Sequence, residues 1–260
     1  MLWAFWFAAE GLPHLPTLLI FLVGTVLTRS AGCAINDYAD RDFDGRVERT
    51  RNRPLATGAL TPSEAIGLTV LLMALAFMLV LLTNTLTIKL SIIAVVLAIV
   101  YPFSKRYTHF PQAVLGAAFA CAVPMAFAAQ TNTLPSSAWW LFTGAIIWAM
   151  AYDTLYAMAD RTDDLKIGIK STAILFGRFD LFFVALLQTI VLAILAYMGL
   201  VHQRGFIFFT GLFIATGFAV YQLWISRKRE PGACLAAFLN NNWLGMSVFI
   251  ALLLDYQVRP

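Results

Sequence analysis

Long apolar runs broken by short polar joints set the layout of this chain. Runs near the roughly 20 residues needed to cross a hydrocarbon core fall at about residues 16–35, 65–83, 112–130, 137–156, 180–200, 206–225 and 237–256. A further run at 86–101 is short by itself but can extend into its flanks. Residues 2–9 are apolar and too few to span, and with no Lys or Arg ahead of them they do not read as a signal peptide. They read as the tail of a first helix. Pro13, Pro16, Pro62, Pro102, Pro111 and Pro135 fall at the joints, where helices start or stop. Pro124 lies inside a span and predicts a kink. The pattern predicts an all-α, polytopic membrane bundle of nine transmembrane helices, the first truncated, forming a single domain over residues 1–260.

Composition supports that frame and gives it a direction. The chain is 60% hydrophobic and only 12% charged, with a mean hydropathy of +0.78, outside the usual range of soluble domains. Alternating the helices across a bilayer puts residues 36–62, 102–110, 157–179 and 226–236 on one side, and these carry 14 of the 18 Lys and Arg residues. The opposite joints and the C-terminal end carry only Arg204 and Arg259, while Arg29 and Lys89 lie within spans. The positive-inside rule makes the basic side cytoplasmic. No basic stretch lies outside short joints, which argues against nucleic acid as a partner. Cys33, Cys121 and Cys234 have no metal-ligand spacing and read as small packing residues.

The acidic residues change the picture from architecture to chemistry. Eight of the ten aspartates lie in two patches, one reading Asn36-Asp37-Tyr38-Ala39-Asp40-Arg41-Asp42-Phe43-Asp44 and the other running from Asp153 to Asp164. Both contain Ala-Asp-Arg-x-x-Asp, 120 residues apart, and each directly follows a long apolar run. On a helix, residues four apart share a face, so Asn36, Asp40 and Asp44 line one stripe and Asp153, Asp160 and Asp164 another. Clustered carboxylates at a membrane edge must be paired, neutralised or held by a cation. Oxygen-only clusters select hard ions, and Mg²⁺ typically bridges one or two carboxylates to substrate phosphates. The repeat therefore predicts a Mg²⁺–diphosphate clamp on the cytoplasmic face.

Cations surround both patches: Arg46, Arg49, Arg51 and Arg53 after the first, Lys166 and Lys170 after the second. Fixed cations stabilise a departing diphosphate, although positive-inside loops need positive residues for topology alone. Arg53, in the turn Asn52-Arg53-Pro54, and Lys170, six residues past Asp164, are the strongest candidates. Arg29 lies two turns before Asn36 inside an apolar span, where it either reaches the site or snorkels to the interface. The joint from Tyr101 to His109 holds Lys105 and Arg106 among aromatic residues. A guanidinium there suits an aromatic carboxylate, while the tyrosines equally suit an interfacial belt.

The stretches AGCAINDYADRDFDGRVERTRNRPLATGAL, YPFSKRYTHFPQAVLGAAFACAVPMAFAA and AYDTLYAMADRTDDLKIGIKSTAILFG resemble the UbiA superfamily of intramembrane aromatic prenyltransferases, most of all its members acting on 4-hydroxybenzoate. The resemblance runs from about residue 2 to 258. The family pattern N-D-x-x-D-x-x-x-D falls on Asn36, Asp37, Asp40 and Asp44, and its D-x-x-x-D on Asp160 and Asp164. It implies that these six hold Mg²⁺, with Asn36, Asp40, Asp44, Asp160 and Asp164 as the catalytic set. It implies a central cavity open sideways to lipid, where Arg29, Arg53, Lys105, Arg106, Tyr156, Lys166 and Lys170 bind polyprenyl diphosphate and 4-hydroxybenzoate. Arg106 matches the family's acceptor-side arginine, and aromatic faces such as Tyr156 suit an allylic cation. The implied setting is the bacterial inner membrane and ubiquinone synthesis. A relative with another aromatic acceptor would share the clamp and differ at residues 101–109. A transporter of Mg²⁺ or diphosphate needs charge along a path, and the far side here is nearly uncharged.

Overall fold

The computed structural model describes residues 1–45 and 50–258, apart from the side chains of Phe43, Lys105 and Ile167. Among the described residues the regular structure is entirely helical. In chain order the helices are α1 (Leu2–Ala9), α2 (Leu15–Asp44), α3 (Pro62–Val80), α4 (Thr85–Tyr107), α5 (Pro111–Ala120) and α6 (Ala122–Thr131). They continue with α7 (Ser136–Ile167), α8 (Thr172–Phe176), a 3-10 turn (Gly177–Phe179), α9 (Asp180–Val201), α10 (Phe206–Ser226) and α11 (Pro231–Val258). Eight segments are long and apolar enough to cross a membrane, with α5–α6 and α8–α9 each counting as one. With the short α1 this is the nine-helix plan expected from the apolar runs, and the protein is a multi-pass membrane protein.

Local chemistry explains the helix boundaries. Thr61 opens α3 with a capping box, its hydroxyl accepting from Glu64 N–H while Glu64 reaches back to the Thr61 N–H, and Pro62 fills the first helical position. Asn84 caps α4 by accepting from Thr87 N–H, and its amide donates to the Ala128 carbonyl on α6. Gly168, at φ 73°, ends α7 in the left-handed conformation that glycine adopts most easily.

Residues 112–130 form the expected span with the expected kink, a break at Cys121 between α5 and α6. Pro124 accounts for this, since it cannot donate to Ala120 and its ring crowds that carbonyl. Pro102, read as a joint, lies inside α4, which continues to Tyr107 and leaves only three residues before α5. Helices α2 and α7 overshoot their apolar runs, so the aspartate patches ride on helix, as their stripes require.

Packing is uneven along the bundle axis. At the end away from the aspartates a continuous core joins Phe5 and Phe7 of α1, Phe127 of α6, Leu195 and Met198 of α9, Phe208 of α10 and Leu252 of α11. Gly211 lets α10 and α11 close up there, since a Cβ on it would lie 2.1 Å from the Ala251 Cβ and 2.9 Å from the Ser247 carbonyl oxygen. Asp255, fully buried, accepts from the Gly205 and Phe208 N–H groups at 2.9–3.2 Å and so caps α10 from the neighbouring α11. At the aspartate end the described residues form a smaller cluster around Leu155, Met158, Val184 and Cys234.

Candidate active site

The first aspartate patch is the last three turns of α2. Asn36 donates from Nδ2 to Asp40 Oδ2 at 3.3 Å, the four-residue spacing acting as predicted, and its Oδ1 is buried without a hydrogen-bond partner. Asp40 and Asp44 are both buried. Arg53 folds back from the following turn and bridges two carboxylates, 2.9 Å from Asp37 Oδ1 and 3.1 Å from Asp44 Oδ2. The turn is closed by the Thr50 hydroxyl donating to the Asp44 carbonyl at 3.0 Å and by Arg53 N–H donating to the Thr50 carbonyl at 2.9 Å. Burial pushes the Asp44 carboxyl above the ordinary carboxylate range, and the Arg53 charge pulls it back part of the way.

The second patch occupies the end of α7, with Asp160 and Asp164 half-buried. Tyr101 on α4 lies near residues of both patches, with Asp40 on α2 and Asp153 and Tyr156 on α7 acting on its hydroxyl together with Arg29. Tyr152 in turn feels Asp153 and Arg29. Arg29 is exposed, its guanidinium 5.8 Å from the centre of the Phe119 ring. The sequence left Tyr101 open between the acceptor-side turn and an interfacial belt. Its position before Pro102 on a continuous helix, which points it inward, was not visible in the pattern.

The remaining candidates divide. Arg106 Nη2 donates to the Ala39 carbonyl at 2.8 Å, which brings the end of α4 against the residue before Asp40. Lys170 Nζ reaches the Tyr107 carbonyl at 3.4 Å, so the chain after α7 meets the end of α4. Tyr156 packs on Phe238, with ring centres 5.0 Å apart. Tyr156 also closes a lane of ring contacts running through Phe238, Tyr152 and Trp148 to Trp3 on α1. Lys166 instead pairs with Asp163 at 3.0 Å on the surface, its side chain 68% exposed. The Lys105 side chain, and Arg46 and Arg49 altogether, lie outside the described residues.

Asp180 and Arg229 were absent from the sequence reading. Asp180 opens α9, is fully buried, and accepts from Arg229 Nη2 at 2.8 Å and from Arg161 Nη2. Arg161 is the arginine of the second Ala-Asp-Arg, and it also donates to the Ala173 carbonyl on α8 at 2.8 Å. Its counterpart Arg41 donates at 2.8 Å to the Tyr38 carbonyl of its own helix and lies over the Tyr38 ring. The repeated tripeptide is thus used in two ways. An isolated aspartate outside any repeat carries no pattern that would reveal this.

The donor set fits Mg²⁺. It consists of hard oxygens, including the unpartnered, buried Asn36 Oδ1. Among the described residues no three Asp, Glu, His or Cys side chains converge closely enough to cage an ion unaided. That is the expected arrangement for an ion held by one or two carboxylates per helix together with phosphate oxygens.

Comparison with known proteins bears on the family and the fold. Residues 1–253 match the UbiA prenyltransferase family. The chain is 56% identical over 254 residues to a 4-hydroxybenzoate octaprenyltransferase of Saccharophagus degradans, covering 98% of this chain and 85% of that protein. It is 56% identical over 258 residues to the enzyme of the same name from Alkalilimnicola ehrlichii, covering 99% and 88%. Among solved structures, a UbiA homolog from Aeropyrum pernix K1 superposes with a TM-score of 0.83 at 22% identity, covering 96% of this chain and 95% of that one. A UbiA homolog from Archaeoglobus fulgidus bound to GPP and Mg²⁺ superposes with a TM-score of 0.72 at 18% identity, covering 97% and 94%. At those identities the structures speak for the fold, and the close relatives speak for the family. On both counts, this chain belongs to the UbiA prenyltransferase family.

Proposed function

We propose that this protein transfers a polyprenyl chain from polyprenyl diphosphate to the ring carbon ortho to the hydroxyl of 4-hydroxybenzoate, releasing diphosphate, as a step of ubiquinone biosynthesis. The names of its close relatives point to that acceptor and to an octaprenyl donor. The observation that supports the reading is that the end of α4 meets both patches, Arg106 donating to the Ala39 carbonyl beside Asp40 and Lys170, just past α7, donating to the Tyr107 carbonyl.

Asn36, Asp37, Asp40 and Asp44 on α2, with Asp160 and Asp164 on α7, are the residues that would hold Mg²⁺. When bound, the metal neutralises diphosphate charge and improves it as a leaving group. Arg53, between Asp37 and Asp44, is placed to exchange a carboxylate for a phosphate oxygen as the donor arrives. The bond between the allylic carbon and the diphosphate oxygen breaks with its electron pair going to diphosphate. The electron-rich ring carbon of the acceptor then attacks the allylic carbon, and the proton on that ring carbon is lost. Tyr156 and Tyr152 present aromatic faces along α7, where an allylic cation is stabilised by about 2 kcal/mol once desolvated. The apolar walls keep water from capturing it. Arg106, held at the Ala39 carbonyl, suits the acceptor carboxylate.

In orientation, the basic joints support a clamp on the cytoplasmic side of a bacterial inner membrane. The decisive assay supplies the purified protein with octaprenyl diphosphate, 4-hydroxybenzoate and Mg²⁺, with a chelator control, and identifies the C-prenylated acid by mass. Turnover with a dihydroxynaphthoate acceptor and none with 4-hydroxybenzoate would overturn the acceptor assignment.

A further inference from the structure

We propose that Asp180 and Arg229, on segments that contribute no carboxylate to the clamp, position its second half by holding Arg161 away from the cavity. The inference rests on the reading of Asp160 and Asp164 as metal-holding residues. Arg161 follows Asp160 directly on α7, so whatever fixes its side chain fixes the rotation of the turn that presents Asp160 and Asp164. Left to itself, a long guanidinium beside three carboxylates would fold onto them and compete with an incoming cation.

The surroundings prevent this. Arg161 turns toward α8 and α9, donating to the Ala173 carbonyl and to Asp180, and its Nε is buried with no partner in reach. Asp180 receives a second cation, Arg229, through both Nε and Nη2 at 2.8–3.1 Å, and also the Leu181 N–H at 2.6 Å. Arg229 lies in the turn between α10 and α11 at φ 57°, a left-handed conformation uncommon for a side-chain-bearing residue. Its Nη2 also donates to the Arg178 carbonyl at 2.9 Å. Two segments, α7 and the α10–α11 turn, therefore bring charged groups to one buried carboxylate. Hydrophobic residues of the same volume would stabilise such a contact as well or better. What the ionic version adds is a fixed direction for Arg161.

The same segment is tied on its other side. Thr172 donates its N–H to Gln112 Oε1 on α5 at 3.1 Å and shares a hydroxyl hydrogen bond with Thr154 on α7 at 2.7 Å. The second aspartate turn is thus registered against α5, α8, α9 and the α10–α11 turn together.

The test uses the full chain in detergent or nanodiscs. Mn²⁺ binding is followed by electron paramagnetic resonance with a non-hydrolysable prenyl diphosphate analogue, alongside KM for each substrate. Asp180→Asn is expected to weaken Mn²⁺ and analogue binding about tenfold or more and to raise donor KM in parallel. The KM for the acceptor should stay within about twofold and melting should change little. Arg161→Gln combined with Asp180→Asn should lose no more than either alone, since both cut one tie. Unchanged Mn²⁺ affinity in Asp180→Asn overturns the inference, as does a uniform loss of donor and acceptor function that tracks unfolding. Should Asp180→Asn fail to fold, Arg229→Gln removes only the outer partner and is expected to weaken binding at least about threefold; unchanged affinity there is equally fatal. Asp160→Asn is the control for the underlying reading. If it destroys binding while Asp180→Asn does not, only the positioning role falls, and if it too binds normally, the clamp itself falls.

Discussion

Arg106 and Ala39 are joined across 67 residues of chain by a 2.8 Å hydrogen bond from the guanidinium to the backbone carbonyl. The bond places Arg106 directly beside Asp40, so under the proposed function the acceptor and donor sites share a wall. Replacing Arg106 with Ala should weaken 4-hydroxybenzoate use far more than diphosphate binding. Loss of a charge-assisted pair in a partly dry site costs on the order of 2–5 kcal/mol, or roughly 30-fold or more in acceptor efficiency. Lys should rescue only in part, because it keeps the charge and loses the planar fork. Kinetics with each substrate varied in turn decide the matter, and a rise confined to the donor KM would move Arg106 to the diphosphate site.

Activity should require Mg²⁺, and Asp40→Asn or Asp160→Asn should each lower turnover by at least about 100-fold, in line with the few kcal/mol an electrostatic contact of this kind supplies. Circular dichroism and size exclusion should show the bundle intact. Full turnover by either variant at saturating Mg²⁺ would contradict a two-sided clamp.

The Arg53 bridge makes a prediction about pH. Burial raises the Asp44 carboxyl pKa and Arg53 lowers it again, so the folded protein holds that proton more tightly than the unfolded chain. Asp44 therefore opposes folding above its raised pKa, and the penalty disappears as pH falls below the unfolded value. For metal binding the consequence is reversed, because protons compete for the carboxylate as pH drops. The Mg²⁺ half-saturation concentration should rise on the acid side, and Arg53→Ala should move that rise to higher pH by removing the opposing cation. A Mg²⁺ titration at a series of pH values, wild type against variant, reads this directly; an acid limb that stays in place in Arg53→Ala would disconnect Arg53 from Asp44.

At the opposite end, His202 shares a 3.0 Å hydrogen bond between its Nε2 and the Ser137 hydroxyl and packs on Phe7. Burial pushes its imidazole below the ordinary value, partly opposed by the Glu10 carboxylate. The unfolded chain then binds a proton more readily than the folded one. The stability His202 contributes is present above the unfolded pKa, near 6.5, and is lost as pH falls through the folded value. Thermal melting between pH 8 and pH 5 should fall more steeply for the wild type than for His202→Gln. Parallel curves would remove His202 from the pH response.

Topology can be tested without chemistry. A reporter fused after Gly58 should be cytoplasmic and one after Thr133 external, given where the Lys and Arg residues lie. The opposite labelling would put the clamp on the wrong side for a cytoplasmic diphosphate.

What the amino-acid order determined by itself was everything of short range. Helix number, the lateral charge asymmetry and the two aspartate stripes follow from apolar run length and from periods of three to four residues, which any helix imposes on its own side chains. The Asn36–Asp40 hydrogen bond needs nothing more than that. Tertiary structure decided which cation meets which carboxylate. Arg41 and Arg161 sit in the same Ala-Asp-Arg tripeptide, yet one lies over Tyr38 on its own helix and the other is anchored by Asp180 from α9. Asp180 and Asp255, the two aspartates outside the repeat, are buried carboxylates that tie neighbouring segments together. Arg161, Arg229 and Gly205, which they hold, lie 19 to 50 residues away, at separations set by helix crossings. Helix crossings depend on how whole faces pack, as where Gly211 admits Ala251, and no local period encodes them.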